Sequence, residues 1–349
     1  MDEAKLNEFL GKIVVDAGAA FGSALVYVGD RLGLWKALAD NGPSTPEQVA
    51  AATGTNARIV REWLSSQAAG GYVTYEPATG LFTLPEEHAA VLAVEDSPAN
   101  VLGFFQVIAS VSRDLDKVIE MFKTGRGLAW GDHHHDLFQG TERFFRPGYA
   151  ANLVPSWIPA LEGVEEKLRE GITVADVGSG HGISTILMAK AYPNSRFVGF
   201  DFHKPSIERA RKLAADEGVA DRVTFEVARA QDYPGIGYGL IAIFDALHDM
   251  GDPAGAVRHA REAIADDGTI LLVEPNAGDH LEDNLNPVGR AYYGASTTIC
   301  TPSSLSEDGP GLGAQAGEAR LRKLFDDAGF RTFRRAAATP FNLVLEAKP

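Results

Sequence analysis

The residues best suited to chemistry begin at Val174-Ala175-Asp176-Val177-Gly178-Ser179-Gly180-His181-Gly182, where an apolar run passes into a turn of alternating glycines. Glycines there let a ligand approach the backbone and leave the N-terminus of the following helix free to face it. The spacing is G-x-G-x-G, with Ile183 where a dinucleotide fingerprint would carry its last glycine. The next apolar run ends in Phe200-Asp201-Phe202, a carboxylate placed to accept from the hydroxyls of a ribose. A third ends at Ala228-Arg229-Ala230-Gln231-Asp232, and a fourth reads Ile243-Phe244-Asp245-Ala246-Leu247-His248. Four run ends therefore point at one crevice. His248 has the side chain whose ordinary pKa suits a general base at neutral pH, or it is a packing histidine. Glu274, in Val273-Glu274-Pro275, either orients that imidazole or caps the next segment.

A second group is aromatic and histidine-rich: Trp130, His133, His134, Phe138, Phe144, Phe145 and Tyr149. His133-His134-His135 has the composition of a metal site, but three consecutive side chains cannot face one ion from a regular helix or strand, so no metal is expected. Trp130, His133, His134, Phe145 and Tyr149 are candidates for the rim of a substrate pocket, with interdomain core as the plainer reading. Tyr292, Tyr293 and Cys300 fall in a long insert after the fifth strand, where loops at a sheet's C-terminal edge contact substrate, and carry the same two readings.

The elements that must position these groups follow from periodicity. After Gly171 short apolar runs alternate with amphipathic helices, which predicts a doubly wound, Rossmann-like α/β sheet. Strands are expected over Ile172 to Val177, Arg196 to Asp201, Val223 to Val227, Leu240 to Phe244, Thr269 to Glu274, Arg331 to Ala336 and Asn342 to Ala347, seven in all. Helices are expected near 184–192, 205–217, 253–265 and 318–328. The short link before Asn342 predicts an antiparallel last strand. Upstream, helical spacing runs from Lys5 to about Asp40 and stops at Asn41-Gly42-Pro43. Ser44-Thr45-Pro46-Glu47 opens a short helix to Ala52, and another follows Gly54 with Ile59, Val60, Trp63 and Leu64 as its inner face. Two β-like pieces, Tyr72 to Glu76 and Leu81 to Leu84, flank Pro77-Ala78-Thr79-Gly80, so the front part reads as a winged helix-turn-helix. Residues 86–170 read as mostly helical, with Val101 to Phe122 one long apolar-rich segment. The domains expected are 1–95, a helical linker or lid over 96–165, and a catalytic domain over 166–349.

Composition narrows the function. The chain has 349 residues, 45% hydrophobic and 23% charged, enough for a sizeable core. A net charge of −15 repels polyphosphate and anionic lipid, so nucleic acid is not the expected partner. One cysteine cannot close an internal disulfide, and Met1-Asp2-Glu3 lacks a basic leader, which fits a cytoplasmic location. No uninterrupted apolar run approaches the roughly 18 residues that span a bilayer, so no membrane insertion is expected.

In this order, the motifs resemble the class I S-adenosylmethionine-dependent methyltransferases over about residues 170–349. The resemblance implies that Asp176, Gly178, Ser179, Gly180 and Gly182 shape a methionine pocket and that Asp201 binds the ribose. It also implies that Phe202, Ala230, Gln231, Phe244 and Asp245 line the remainder of the cofactor site. Many relatives carry an acid at the position of Arg229, so Gln231, Asp232 or apolar contact from Phe202 must meet the adenine here. With its winged front half the chain is similar to bacterial methyltransferases related to a structurally studied mycobacterial one, and more distantly to plant small-molecule O-methyltransferases. That likeness implies a homodimer formed through the N-terminal domain, S-adenosylmethionine as cofactor with S-adenosylhomocysteine as product, and His248 as base. The expected acceptor is a small aromatic or polyketide-like molecule methylated on oxygen, with nitrogen or carbon methylation by alignment alone as the alternative. Three further readings compete. A winged-helix regulator is disfavoured by the few basic residues of 56–69, and a nicotinamide dehydrogenase by the glycine spacing and last strand. A fold that binds cofactor without transferring methyl is the third.

Overall fold

The computed structural model describes residues 1–349, which form two compact units, 1–112 with 135–147 and 113–134 with 148–349. The first unit opens with a 29-residue helix, Glu3–Arg31, capped by the Asp2 carboxylate, which accepts from the Ala4 and Lys5 amides. Helical spacing does not continue unbroken to Asp40 as expected. Gly33 turns left-handed at φ 70°, and a separate helix, Leu34–Asn41, follows. Helix Pro46–Thr53 starts at a capping box of Thr45 and Gln48, and helix Ala57–Ala69 at Asn56. The wing is a hairpin of β1, Thr74–Glu76, and β2, Leu81–Thr83, paired antiparallel.

The core of this unit stands on two tryptophans, Trp35 and Trp63, with ring centroids 4.7 Å apart. Their indoles donate to the carbonyls of Val26 and Leu25, bringing the first helix down on both. That close approach requires Gly29, where a Cβ would lie 2.6 Å from the Trp63 ring. Val60, Trp63 and Leu64 are buried as expected, but Ile59 is 66% exposed, because helix 57–69 is covered on one side only. Its two arginines are held in ion pairs, Arg58 with Glu62 at 2.5 Å and Arg61 with Glu47 at 2.8 Å.

The first helix leaves Phe9, Val14, Val15 and Phe21 exposed. By length and composition it is the one helix able to cross a membrane, its best 18-residue window having a mean hydropathy of 1.6. The count of uninterrupted apolar residues overlooked it because alanines, glycines and the charged Lys12 and Asp16 lie among the larger side chains. The apolar run Val101 to Phe122 is likewise two helices, Leu102–Arg113 and Leu115–Thr124, divided at Asp114. Asp114 is buried there, with Lys117 at 2.8 Å and the His134 amide donating to it at 2.8 Å.

The second unit is a seven-stranded sheet: β3 Thr173–Val177, β4 Arg196–Asp201, β5 Val223–Val227, β6 Tyr238–Phe244, β7 Ile264–Pro275, β8 Thr332–Ala338 and β9 Asn342–Lys348. The order is β5-β4-β3-β6-β7-β9-β8, parallel throughout except for β9, which runs antiparallel to both its neighbours. Helices Ile183–Ala191, Lys204–Asp216, Pro253–Ala263 and Glu318–Asp327 accompany the strands. β3 and β6 sit at the centre, and Val177, Ile241, Ile243, Leu272, Leu345 and Phe325 are at most 2% exposed. A parallel strand buried on both faces reads as an unbroken apolar run, which is why these strands stand out in the sequence. Strand order reverses between β3 and β6, and such a switch opens a crevice at the strands' C-terminal ends.

Candidate active site

At that switch the glycine turn is shaped by crowding on two sides and by room on the third. Gly178, Gly180 and Gly182 all have positive φ. A Cβ on Gly178 would press on Ala246 at 2.8 Å, and one on Gly182 would run into the Phe225 ring, whereas Gly180 faces open space. The amides of Gly178 and Ser179 donate to the Phe200 carbonyl at 2.8 and 2.9 Å, tying the turn to β4.

Two polar atoms in this turn lack partners. Asp176, 1% exposed, accepts at Oδ2 from the hydroxyls of Ser184 and Thr185, both at 2.6 Å, while its Oδ1 is buried and unbonded. Burial pushes its pKa up to about 6. The Ser179 hydroxyl is also buried and unbonded. Orphaned acceptors beside a glycine turn suit a ligand that brings an ammonium group and hydroxyls. Asp201 accepts from the Gly180 amide at 2.9 Å and the His203 amide at 2.8 Å. Burial raises its pKa, opposed by those two bonds, and each oxygen keeps a lone pair for a further donor. Phe202, 47% exposed, offers a ring face beside it. Ala230 packs on the sheet core, the Gln231 amide donates to the Asp252 carbonyl at 3.2 Å, and Arg229 pairs with Glu307 at 2.8 Å.

Across the switch, His248 lies in a one-turn helix, Leu247–Asp249, just past β6. Its Nδ1 is 2.5 Å from Glu274 Oε2, and Glu274 Oε1 accepts from the Leu247 amide at 3.0 Å, so the carboxylate both orients the imidazole and caps its turn. Both side chains are buried. Burial alone would lower His248, but the Glu274 charge, reinforced by a hydrogen bond with Cys300, lifts its pKa well above the usual value.

Asp245, at the end of β6, takes the left-handed backbone conformation at φ 47°. Its Oδ2 accepts from the Tyr149 hydroxyl at 2.7 Å, and the Asn342 amide of β9 approaches at 3.3 Å. Burial first and the Glu274 charge second push Asp245 up to about 7, and burial does the same to Asp249. Tyr149 packs against Phe244 and Trp157, at 5.4 and 5.8 Å between ring centres.

The structure therefore joins Tyr149 to Asp245, a residue expected at the cofactor. Tyr292 donates to the Phe341 carbonyl at 2.9 Å, with its pKa raised by burial and then by the Asp245 charge. Tyr293 follows it, half-buried. His133 has its Nδ1 3.6 Å from Asp114 and an unbonded, buried Nε2, and burial lowers its pKa. His134 takes a bond from Arg113 at 3.2 Å, and Trp130 lies in the short turn Trp130–Asp132. Phe145, in the first unit, stacks edge-on with Phe144 at 5.0 Å. Sequence reasoning missed Ser184, Thr185, Asp249 and Asn342. Only Ser184 and Thr185 carried a signal, as hydroxyls in the first turn of the helix after the glycines.

Fold and site together define a methyltransferase with a winged helix-turn-helix front. Residues 20–94 match the Rv2258c-like winged HTH domain, and residues 168–329 match a methyltransferase domain family. The chain thus joins a winged helix-turn-helix domain to a methyltransferase domain. A Nostoc punctiforme structure assigned as an O-methyltransferase is 20% identical, with a TM-score of 0.74 over 97% of this chain and 98% of that one. Human N-acetylserotonin methyltransferase, solved with S-adenosylmethionine, is 18% identical, with a TM-score of 0.71 over 100% and 98% of the two chains. A rice protein (Oryza sativa subsp. japonica) classed as a chloroplastic tocopherol O-methyltransferase is 27% identical over 196 residues, 50% of this chain and 52% of its own length. The chain thus spans about half the length of that curated relative.

Proposed function

We propose that this protein transfers a methyl group from S-adenosylmethionine to a hydroxyl oxygen of a small, planar, largely apolar acceptor. The observation that carries the reading is the buried His248–Glu274 pair at 2.5 Å, one turn past the strand beside the glycine loop. S-adenosylmethionine, when bound, supplies an electrophilic methyl on a positively charged sulfur. The loop amides, Asp176 Oδ1 and the Ser179 hydroxyl are suited to its methionine end, Asp201 to its ribose, and Phe202, Ala230 and Gln231 to its base. His248 would accept the acceptor's hydroxyl proton at the nitrogen opposite Glu274 as that oxygen takes the methyl group the cofactor supplies. Glu274 holds the ring and offsets the imidazolium charge. An arriving hydroxyl takes the place of the Cys300 thiol against that ring.

A second reading has one observation in its favour. The Glu274 charge shifts His248 toward its protonated form, which suits methylation of nitrogen or carbon by alignment alone. A mass-spectrometric methylation assay on a panel of phenols and aromatic amines, with wild type and His248→Ala, separates the two. Loss of phenol methylation in the variant, with wild-type activity rising as pH increases, supports oxygen transfer. Amine methylation unaffected by the variant supports the second reading, and transfer to neither class sinks the proposed acceptor. We also assign residues 1–95 to dimerisation, on the exposed Phe9, Val14, Val15 and Phe21 of the first helix.

A further inference from the structure

Four neighbouring strands of the sheet each end in an acid: Asp201 on β4, Asp176 on β3, Asp245 directly after β6, and Glu274 on β7. Adjacent strands lie about 4.8 Å apart, so the row spans the width of one nucleoside-sized ligand. Three of the four are accounted for, one by the protein itself and two by groups common to S-adenosylmethionine and its demethylated product. Glu274 is taken up by His248 and the Leu247 amide. Asp201 is set for the ribose, and the unbonded Oδ1 of the 1% exposed Asp176 for the ammonium. The two ligands differ only in the methyl group and the positive charge on sulfur. Asp245 remains: a half-buried carboxylate held by neutral donors, Tyr149 and Asn342, beside the Ala246 methyl that abuts Gly178 of the loop.

We propose that Asp245 reads the charge on sulfur, so that the pocket holds S-adenosylmethionine more tightly than S-adenosylhomocysteine and lets product go. This rests on the cofactor assigned under the proposed function. A carboxylate held by neutral partners keeps its full charge for an arriving cation, whereas one already ion-paired would not. Raised to about 7, Asp245 is largely protonated below that pH and attracts the cation above it. The groups facing it are Glu274 on β7, His248 and Asp249 on the turn after β6, Tyr149 on helix Asp136–Asn152 and Tyr292 on helix Pro287–Ala295.

Calorimetric titration of the full chain with S-adenosylmethionine and with S-adenosylhomocysteine, on wild type and Asp245→Asn, tests this at pH 8. Wild type should prefer the sulfonium by about tenfold, and the variant should lose about that factor for S-adenosylmethionine while S-adenosylhomocysteine changes by less than about twofold. Equal losses for both ligands, or none, overturn the role of Asp245 and leave the cofactor reading standing. Wild type binding neither ligand sinks both. Should Asp245→Asn fail to fold, Tyr149→Phe decides. Without the hydroxyl that favours its charged form, Asp245 ionises at higher pH, so the preference should set in later on the pH axis with S-adenosylhomocysteine binding unchanged. An unmoved onset overturns the proposal.

Discussion

The two halves of the strand edge solve the same problem by different means. On the β3–β4 side, Asp176 and Asp201 are held by donors close by in sequence or in the loop itself: Ser184, Thr185 and the amides of Gly180 and His203. On the β6–β7 side, Asp245 and His248 are held by side chains from far along the chain: Tyr149, Asn342, Glu274 and Cys300. The first half is a fixed cradle of hydrogen bonds. The second holds four ionisable groups within mutual reach, Asp245, His248, Asp249 and Glu274, with the first three shifted upward in pKa. On the proposed function, binding belongs to the cradle, and proton movement and charge recognition to the other side.

The sharpest way to break that division is to remove one group from each side. His248→Ala should lower kcat for hydroxyl methylation by about 10²–10⁴-fold, the usual share of a general base, with S-adenosylhomocysteine affinity nearly unchanged by calorimetry. Asp201→Ala should do the reverse, weakening both adenosyl ligands by about tenfold to a hundredfold, the cost of losing a charged acceptor for hydroxyls. If Asp201→Ala left affinity intact while His248→Ala abolished it, the two sides would have exchanged roles. A smaller effect tests the cradle's rigidity. Gly182→Ala must seat a methyl against Phe225 at a φ of 77°, and should cost about 1–3 kcal/mol in thermal unfolding.

The same contrast governs what could be read from the sequence. All seven strands of the sheet were legible, the central β6 and β7 as apolar runs covered on both faces and the edge strand β5 as an alternating one. The glycine loop, Asp201 and His248 were legible because each sits at a strand end with a spacing of its own. The breaks at Gly33 and Asp114 were not, since apolar periodicity runs through both and the interruption comes from a single backbone turn and a single buried carboxylate. Nor was the Tyr149–Asp245 bond. It joins residues 96 positions apart, and no local pattern distinguishes a tyrosine that meets a buried acid from one that fills a core.

The smallest expected effect concerns folding, and its sign follows from Asp245. An acid with a pKa near 4 in the unfolded chain and about 7 in the fold binds its proton more tightly when folded, so stability falls as pH rises across that interval. Asparagine carries no charge at either end. Asp245→Asn should therefore unfold at a higher temperature than wild type at pH 8 and close to the wild-type temperature at pH 5, as measured by differential scanning calorimetry. A gain that appeared at pH 5 and vanished at pH 8 would mean that the ionised form is the one the fold stabilises. Asp245 would then be a carboxylate whose charge the Tyr149 and Asn342 donors support, and it would belong with the hydrogen-bonded cradle rather than with the titrating cluster.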